Sequence, residues 1–271
     1  MIKKIINILS KPHLIPHKII NFIRFNKLKK EYDFKRFEEK QNNKFNELGF
    51  DRKKGISNLN ELKKQNTIFN RSMSSEHEVL FSSISLLKKN ETLNILEIGT
   101  YDGVNSYLLS LLFNNSKIKT IDLESKDYEF QNSYNREKDY NNFITQRNEM
   151  INKSQNIFFK EQNSLSLINS KEKYDLIWVD GSHGYPTACI DIINSLNLIN
   201  DNGIILCDDV YIDKPKNQDR TYSSIATFET ITALKKEKLI NFHLVYKRLE
   251  KKNNCDPKKR KFIAVLNKNF S

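Results

Sequence analysis

From about residue 74 the chain alternates short apolar runs with helix-like segments, and this alternation limits the fold more than any other feature. The runs are Asn94–Ile98, Ile118–Leu123, Asn156–Phe159, Tyr174–Val179 and Gly203–Cys207, each four to six residues long. Runs so short, rich in Ile, Leu and Val and separated by helices, predict parallel strands covered on both faces. Two later runs, Phe242–Tyr246 and Phe262–Leu266, have only a polar, basic loop between them, with no room for a helix. They are expected to pair antiparallel. The expected fold is α/β: a doubly wound sheet of seven strands with an antiparallel last strand, plus an N-terminal helical extension. The pattern divides the chain into a basic helical extension, 1–72, and a sheet domain, 73–271. Residues 125–155 are long for a strand-to-strand connection and are expected to carry an extra helix. Ser74 or Ser75 is expected to cap the helix that opens the sheet domain, whose first turn carries Glu76 and Glu78.

Charge sits at the ends. The net charge is +12, with +8 in residues 1–30 and +9 in residues 235–271, which leaves the middle at −5. That argues against a basic nucleic-acid groove through the sheet domain, although basic ends still attract anions. Residues 2–9 and 18–30 mix Ile, Phe and Leu with Lys and Arg at helical spacing, a composition suited to a membrane surface. A basic helix packed on the body is the plainer reading. No apolar stretch approaches 18 residues, and three scattered cysteines form neither a disulfide framework nor a zinc site. The expected setting is the cytoplasm, at most at the inner face of a membrane. A second copy of the chain is a further partner that the sequence allows.

Glycine locates the chemistry because it is scarce. Of seven glycines, Gly99, Gly103, Gly181 and Gly184 follow two expected strands. Open α/β sheets bind ligands at the carboxyl ends of their strands, near the switch in strand order. The first candidate is Asn94-Ile95-Leu96-Glu97-Ile98-Gly99-Thr100-Tyr101-Asp102-Gly103, where a strand runs through a tight turn into a helix. It is neither the dinucleotide G-x-G-x-x-G pattern nor a P-loop. The next strand ends in Asp122, 23 residues past Gly99, where an acid can take both ribose hydroxyls of an adenosine ligand. The third strand leads into Asn163 and Ser164. The fourth and fifth strands end in Asp180 and in Asp208-Asp209, which should be neighbours. Three crowded carboxylates repel unless a cation or a proton intervenes, and hard oxygen donors suit Mg²⁺. His183, three residues past Asp180, is a candidate general base, a fourth ligand or a loop hydrogen-bonder. His77, Tyr101, Tyr185, Tyr211 and Tyr222 are candidates to line a substrate pocket.

The E-x-G-x-x-x-G turn, Asp122, and the signature Y-D-L-I-W-V-D-G-S-H followed by N-G-I-I-L-C-D-D together resemble class I S-adenosylmethionine-dependent methyltransferases. Within that class they look like the macrocin O-methyltransferase-like and cephalosporin hydroxylase-like branch. The resemblance spans roughly residues 75–267. It implies a Rossmann-like sheet and a cofactor site of Glu97, Gly99, Thr100, Tyr101, Gly103, Asp122, Asn163, Ser164 and Asp180. It implies Asp180, Asp208 and Asp209 as ligands of a divalent metal that holds two substrate hydroxyls, with His183 and Asp180 catalytic. The expected function is O-methylation of a sugar or glycoside, on a small-molecule or glycan acceptor, with S-adenosylmethionine and Mg²⁺ as cofactors. RNA methylation, a non-catalytic binding role and metal-dependent oxygenation are the alternatives; no N-P-P-Y-type motif supports the first.

Overall fold

The alternation of strand and helix closes into one seven-stranded sheet with the strand order β3-β2-β1-β4-β5-β7-β6. The computed structural model describes residues 15–69, 75–133, 136–215 and 223–268. The apolar-basic segment 2–9, Ser74 and Tyr222 lie outside the described residues. The strands are β1 (Asn94–Ile98), β2 (Lys117–Asp122), β3 (Ile157–Glu161), β4 (Tyr174–Val179), β5 (Ile199–Val210), β6 (Ile240–Tyr246) and β7 (Phe262–Lys268). The first five run parallel, and β7 runs antiparallel between β5 and β6. The connections rise to β3 on one side of β1 and to β5 on the other. The switch in strand order therefore falls between β1 and β4, where such sheets open a crevice.

Side-chain alternation along the strands builds a core on each face. Ile95, Leu176, Trp178 and Leu206 point to one layer, and Leu96, Ile177, Val179 and Ile205 to the other. The second layer is covered by α8 (Thr187–Leu198) and α9 (Ala226–Lys236). The first is covered by α4 (Glu76–Leu87) and α5 (Val104–Leu112). Three helices precede them: α1 (Ile15–Glu31), α2 (Phe34–Glu47) and α3 (Arg52–Gln65). Asp33 and Asp51 accept a backbone N–H from the first turns of α2 and α3, which fixes where those helices begin. Phe45, Phe50 and Leu59, from this Lys- and Asn-rich stretch, are buried in the same layer as Trp178. Few apolar residues suffice because they are spaced to one helical face.

The connection after β2 carries α6 (Tyr128–Asn132) and α7 (Tyr140–Ile151), so the extra helix is present. Several strand ends shift by one or two residues from the sequence reading, and two differences are larger. β5 begins at Ile199, because the polar Asn200–Asn202 stretch extends the strand instead of turning. The β6–β7 connection holds a one-turn helix, α10 (Lys251–Asn254), since a single turn needs no apolar periodicity to announce it. Ser75 occupies the N-cap of α4 but makes no capping bond; its hydroxyl lies 2.6 Å from His77 Nδ1.

Candidate active site

Two clusters of functional side chains meet at the carboxyl edge of the sheet. The first surrounds the turn after β1. Gly99 has φ +102°, and a Cβ there would come within 2.4 Å of the Asp180 carbonyl oxygen. Only glycine lets the loops after β1 and β4 approach so closely. Asp122 is held from two sides, as Oδ2 accepts the Tyr101 N–H and Oδ1 the Leu123 N–H, both at 2.9 Å. Burial raises its carboxyl above the ordinary value, against the pull of Arg136. Tyr101 adopts φ +50°, a conformation that bulky residues pay strain to hold, and its ring is flanked by Phe143 and Arg136. Gln162 N–H donates to the Asp122 carbonyl, bringing the loop with Asn163 and Ser164 alongside. Asn163 caps the following turn through Leu165 N–H, and Ser164 is buried with its carbonyl on Asn194.

Glu97 lies beneath the turn after β1. It is fully buried, with Oε1 accepting from Asn105 and Oε2 from the Ser106 and Thr120 hydroxyls. Burial pushes its carboxyl up to about 7, against those hydrogen bonds. Both oxygens are engaged beneath the turn, so Glu97 ties β1, β2 and α5 together. Thr100 likewise points inward, 2.6 Å from the Thr120 hydroxyl. A motif acid at a strand end does not reveal whether its side chain rises above the turn or sinks below it.

The second cluster does gather Asp180, His183, Asp208 and Asp209. Asp209 sits in an irregularity of the β5–β7 pairing with φ +52°, which lets two consecutive acids reach the same partner, Lys247. His183 is 5% exposed, and its Nε2 lies 3.8 Å from both Asp180 Oδ1 and Asp209 Oδ2. Burial lowers the imidazole below its ordinary value of 6.5, though the charges of Asp209 and Asp208 oppose this. Asp180 is held well above the usual carboxylate range by burial and by the charge of Asp208. His77 stacks 5.4 Å from Trp178 beside the same cluster. Tyr185 is exposed and Tyr211 nearly buried under Lys261.

The metal expectation is corrected here. The place between the carboxylates belongs to Lys247, whose ammonium donates to both Asp208 and Asp209, and Lys261 donates to Asp209 at 2.5 Å. Among the described residues no group of three His, Cys, Asp or Glu side chains is arranged to hold a metal ion. A buried ammonium meets the repulsion that made a divalent cation attractive, so these residues do not fit Mg²⁺. Burial opposes the charge on Lys247, yet Asp208, Asp209 and Asp180 raise its affinity for the proton. Conversely, Lys247, His183 and Lys261 overcome burial to hold Asp209 well below the usual carboxylate range. One atom remains unsatisfied: Asp208 Oδ1 is buried with no donor.

Neither lysine stood out in the sequence, because both were counted in the basic tail. Their positions carry the signal nonetheless. Lys247 directly follows β6 and Lys261 directly precedes β7, so the hairpin delivers both to the edge where β5 ends. The N-terminal helices fix Lys247 from behind. Its carbonyl accepts the Glu76 N–H, while Arg52 grips the Glu76 carboxylate through two nitrogens at 2.7 and 2.8 Å. Gln41 joins Glu76 to the Tyr246 backbone.

Residues 96–210 match the family profile described as a methyltransferase domain. No curated protein is significantly similar to the chain in sequence. Among solved structures, a protein of Klebsiella pneumoniae assigned as an O-methyltransferase superposes with a TM-score of 0.50 at 13% identity, covering 78% of this chain and 90% of its own. A cofactor-bound protein from MTB gives 0.50 at 14% identity, covering 74% and 84%. At such identities the likeness is one of fold. Residues 96–210 are thus similar to a methyltransferase domain, and the sheet has the seven-stranded, Rossmann-like methyltransferase fold with its antiparallel last strand.

Proposed function

We propose that the chain is an S-adenosylmethionine-dependent O-methyltransferase of the macrocin and cephalosporin hydroxylase-like branch, acting on a hydroxyl of a sugar or glycoside. The observation that carries the reading is a buried imidazole, His183, set 3.8 Å from two carboxylates on the same sheet edge as the Gly99–Asp122 turn. The donor set there suits an adenosine cofactor. Two backbone N–H groups orient the Asp122 carboxylate, and each of its oxygens keeps a lone pair for a ribose hydroxyl. Asn163 and Ser164 would border the base.

S-adenosylmethionine, when bound, supplies a methyl group on a sulfonium, a leaving group already primed to depart. Methyl transfer to oxygen forms one O–C bond as an S–C bond breaks. The electron pair stays on sulfur, and the hydroxyl must lose its proton. His183 Nε2 is the group to take it: burial keeps the imidazole neutral, and the charges of Asp209 and Asp208 stabilise the imidazolium that forms. Asp208 Oδ1, buried and without a donor, can accept from a neighbouring acceptor hydroxyl and hold it in line. Lys247 offsets the charge of Asp208 and Asp209, which suits an uncharged polyol.

Calorimetric titration with S-adenosylmethionine is the test, followed by a screen of nucleotide sugars and glycosides for transfer of a labelled methyl group. Binding that is lost in Asp122→Ala supports the cofactor assignment. No binding at millimolar cofactor overturns the reading.

A further inference from the structure

The two basic ends of the chain meet in the fold. Helix α1 lies against the β6–β7 connection: Arg24 pairs with Asp256 at 2.9 Å, and Lys259 stands 5.5 Å over the Phe25 ring. Tyr32, just past α1, donates to the Leu249 carbonyl and accepts from Asn254. These contacts occupy one side of α1. The other side presents Ile19, Ile20, Phe22 and Ile23, which are 52%, 62%, 66% and 61% exposed. Four large apolar side chains clustered this way are uncommon on a surface that meets only water. Their surroundings are basic. Lys27 and Lys30 continue the same helix, and Lys251, Lys252, Lys258 and Lys259 are exposed on the connection that α1 rests upon. Two acids near this face are already paired, Asp256 with Arg24 and Glu31 with Lys27.

We propose that this face docks on an anionic lipid bilayer, with Ile19, Ile20, Phe22 and Ile23 entering the headgroup–acyl boundary and the lysines resting on the headgroups. Apolar side chains on a helix with a basic flank match an interfacial element, which binds by apolar burial together with attraction to acidic lipid. Charge complementarity selects this occupant over a second copy of the chain. Two such faces brought together would oppose like charges around their rims. The connection that α1 rests upon ends at Lys261, which pairs with Asp209.

The test is co-sedimentation of the full chain with vesicles of phosphatidylcholine alone and of phosphatidylcholine mixed with phosphatidylglycerol. The expected result is binding to the mixed vesicles only, released when salt is raised to about 0.5 M, where screening is strong. The double variant Ile19→Asp, Ile23→Asp should bind at least about tenfold more weakly, as two anchors are replaced by charges. Its thermal stability should match that of the parent, because both side chains face outward. Lys251→Glu with Lys252→Glu tests the rim without touching the helix, and should also weaken binding. Equal binding to both vesicle types, no binding to either, or full binding by the double variant overturns the proposal. So does a parent that is dimeric by light scattering and becomes monomeric in the double variant, since the patch would then belong to a second copy.

Discussion

Replacing Lys247 by Met removes the charge and keeps most of the side-chain volume. The structure sets the size of the effect. Lys247 and Asp208 are almost fully buried, with side chains 9% and 3% exposed, and the ammonium reaches both Asp208 and Asp209. Removing one partner from a buried ion pair costs about 3–5 kcal/mol, because the remaining charge has lost its solvation and its counter-ion. Lys261 still serves Asp209, so the loss should sit near the lower end, about 3 kcal/mol, or on the order of 10 °C in Tm. The loss should depend on pH. Asp209 is held below its unfolded value and Lys247 above its own. The parent therefore has the full benefit above the unfolded carboxylate range and below the unfolded lysine range, a window that includes pH 7. In the variant the uncompensated carboxylates can relieve their repulsion by taking up a proton as the pH falls. The gap between parent and variant should thus be widest near pH 8 and narrow toward pH 5. Urea unfolding followed by circular dichroism at both pH values measures it. Adding Asp208→Asn to Lys247→Met should restore part of the loss, since neighbours in one network are not additive. The opened carboxylates should also bind Mn²⁺, which the parent should not. A loss under about 1 kcal/mol that ignores pH would refute the account of Lys247 as the buried counter-ion.

Three further outcomes are expected. His183→Ala should abolish methyl transfer while leaving calorimetric binding of the cofactor unchanged; with the parent, activity should rise with pH through an inflection below 6.5 and stay level above it. An inflection above 7 would remove His183 as the base. Asp122→Ala should weaken cofactor binding by about tenfold to a hundredfold, the worth of charged hydrogen bonds, without unfolding the chain. Glu97→Gln should gain stability relative to the parent as pH rises. The folded-state value of Glu97, raised to about 7, lies above the unfolded one, so ionisation costs the parent stability across that interval, as paired denaturation curves at pH 5 and 8 would measure.

How much of this was legible in the sequence follows from the range of the interactions. Strand positions could be read because burial on both faces writes itself as short apolar runs, and β1 and β4 fall where those runs do. The convergence of Asp180, His183, Asp208 and Asp209 could be read because parallel strands bring their carboxyl ends to one edge. Lys247 was hidden because a lysine in a lysine-rich tail gives no local signal, and only the return of the hairpin places it among acids 39 residues away. The surroundings of Glu97 were hidden for a related reason: its partners Asn105, Ser106 and Thr120 come from two other elements. The apolar anchors of α2 and α3 were masked by the surrounding Lys and Asn, although Phe45 and Leu59 are as buried as any strand residue.

The grip of Arg52 on Glu76, and of Glu76 on the Lys247 backbone, has a consequence for exchange between proteins. The stretch matching the family, 96–210, holds all the carboxylates of the pocket and His183. Their counter-charges come from beyond its far end, and the brace for Lys247 from before its start. A graft of the shared stretch into another scaffold would carry the acids and leave their lysines behind. In this chain the boundaries of the matched stretch run through the middle of the pocket.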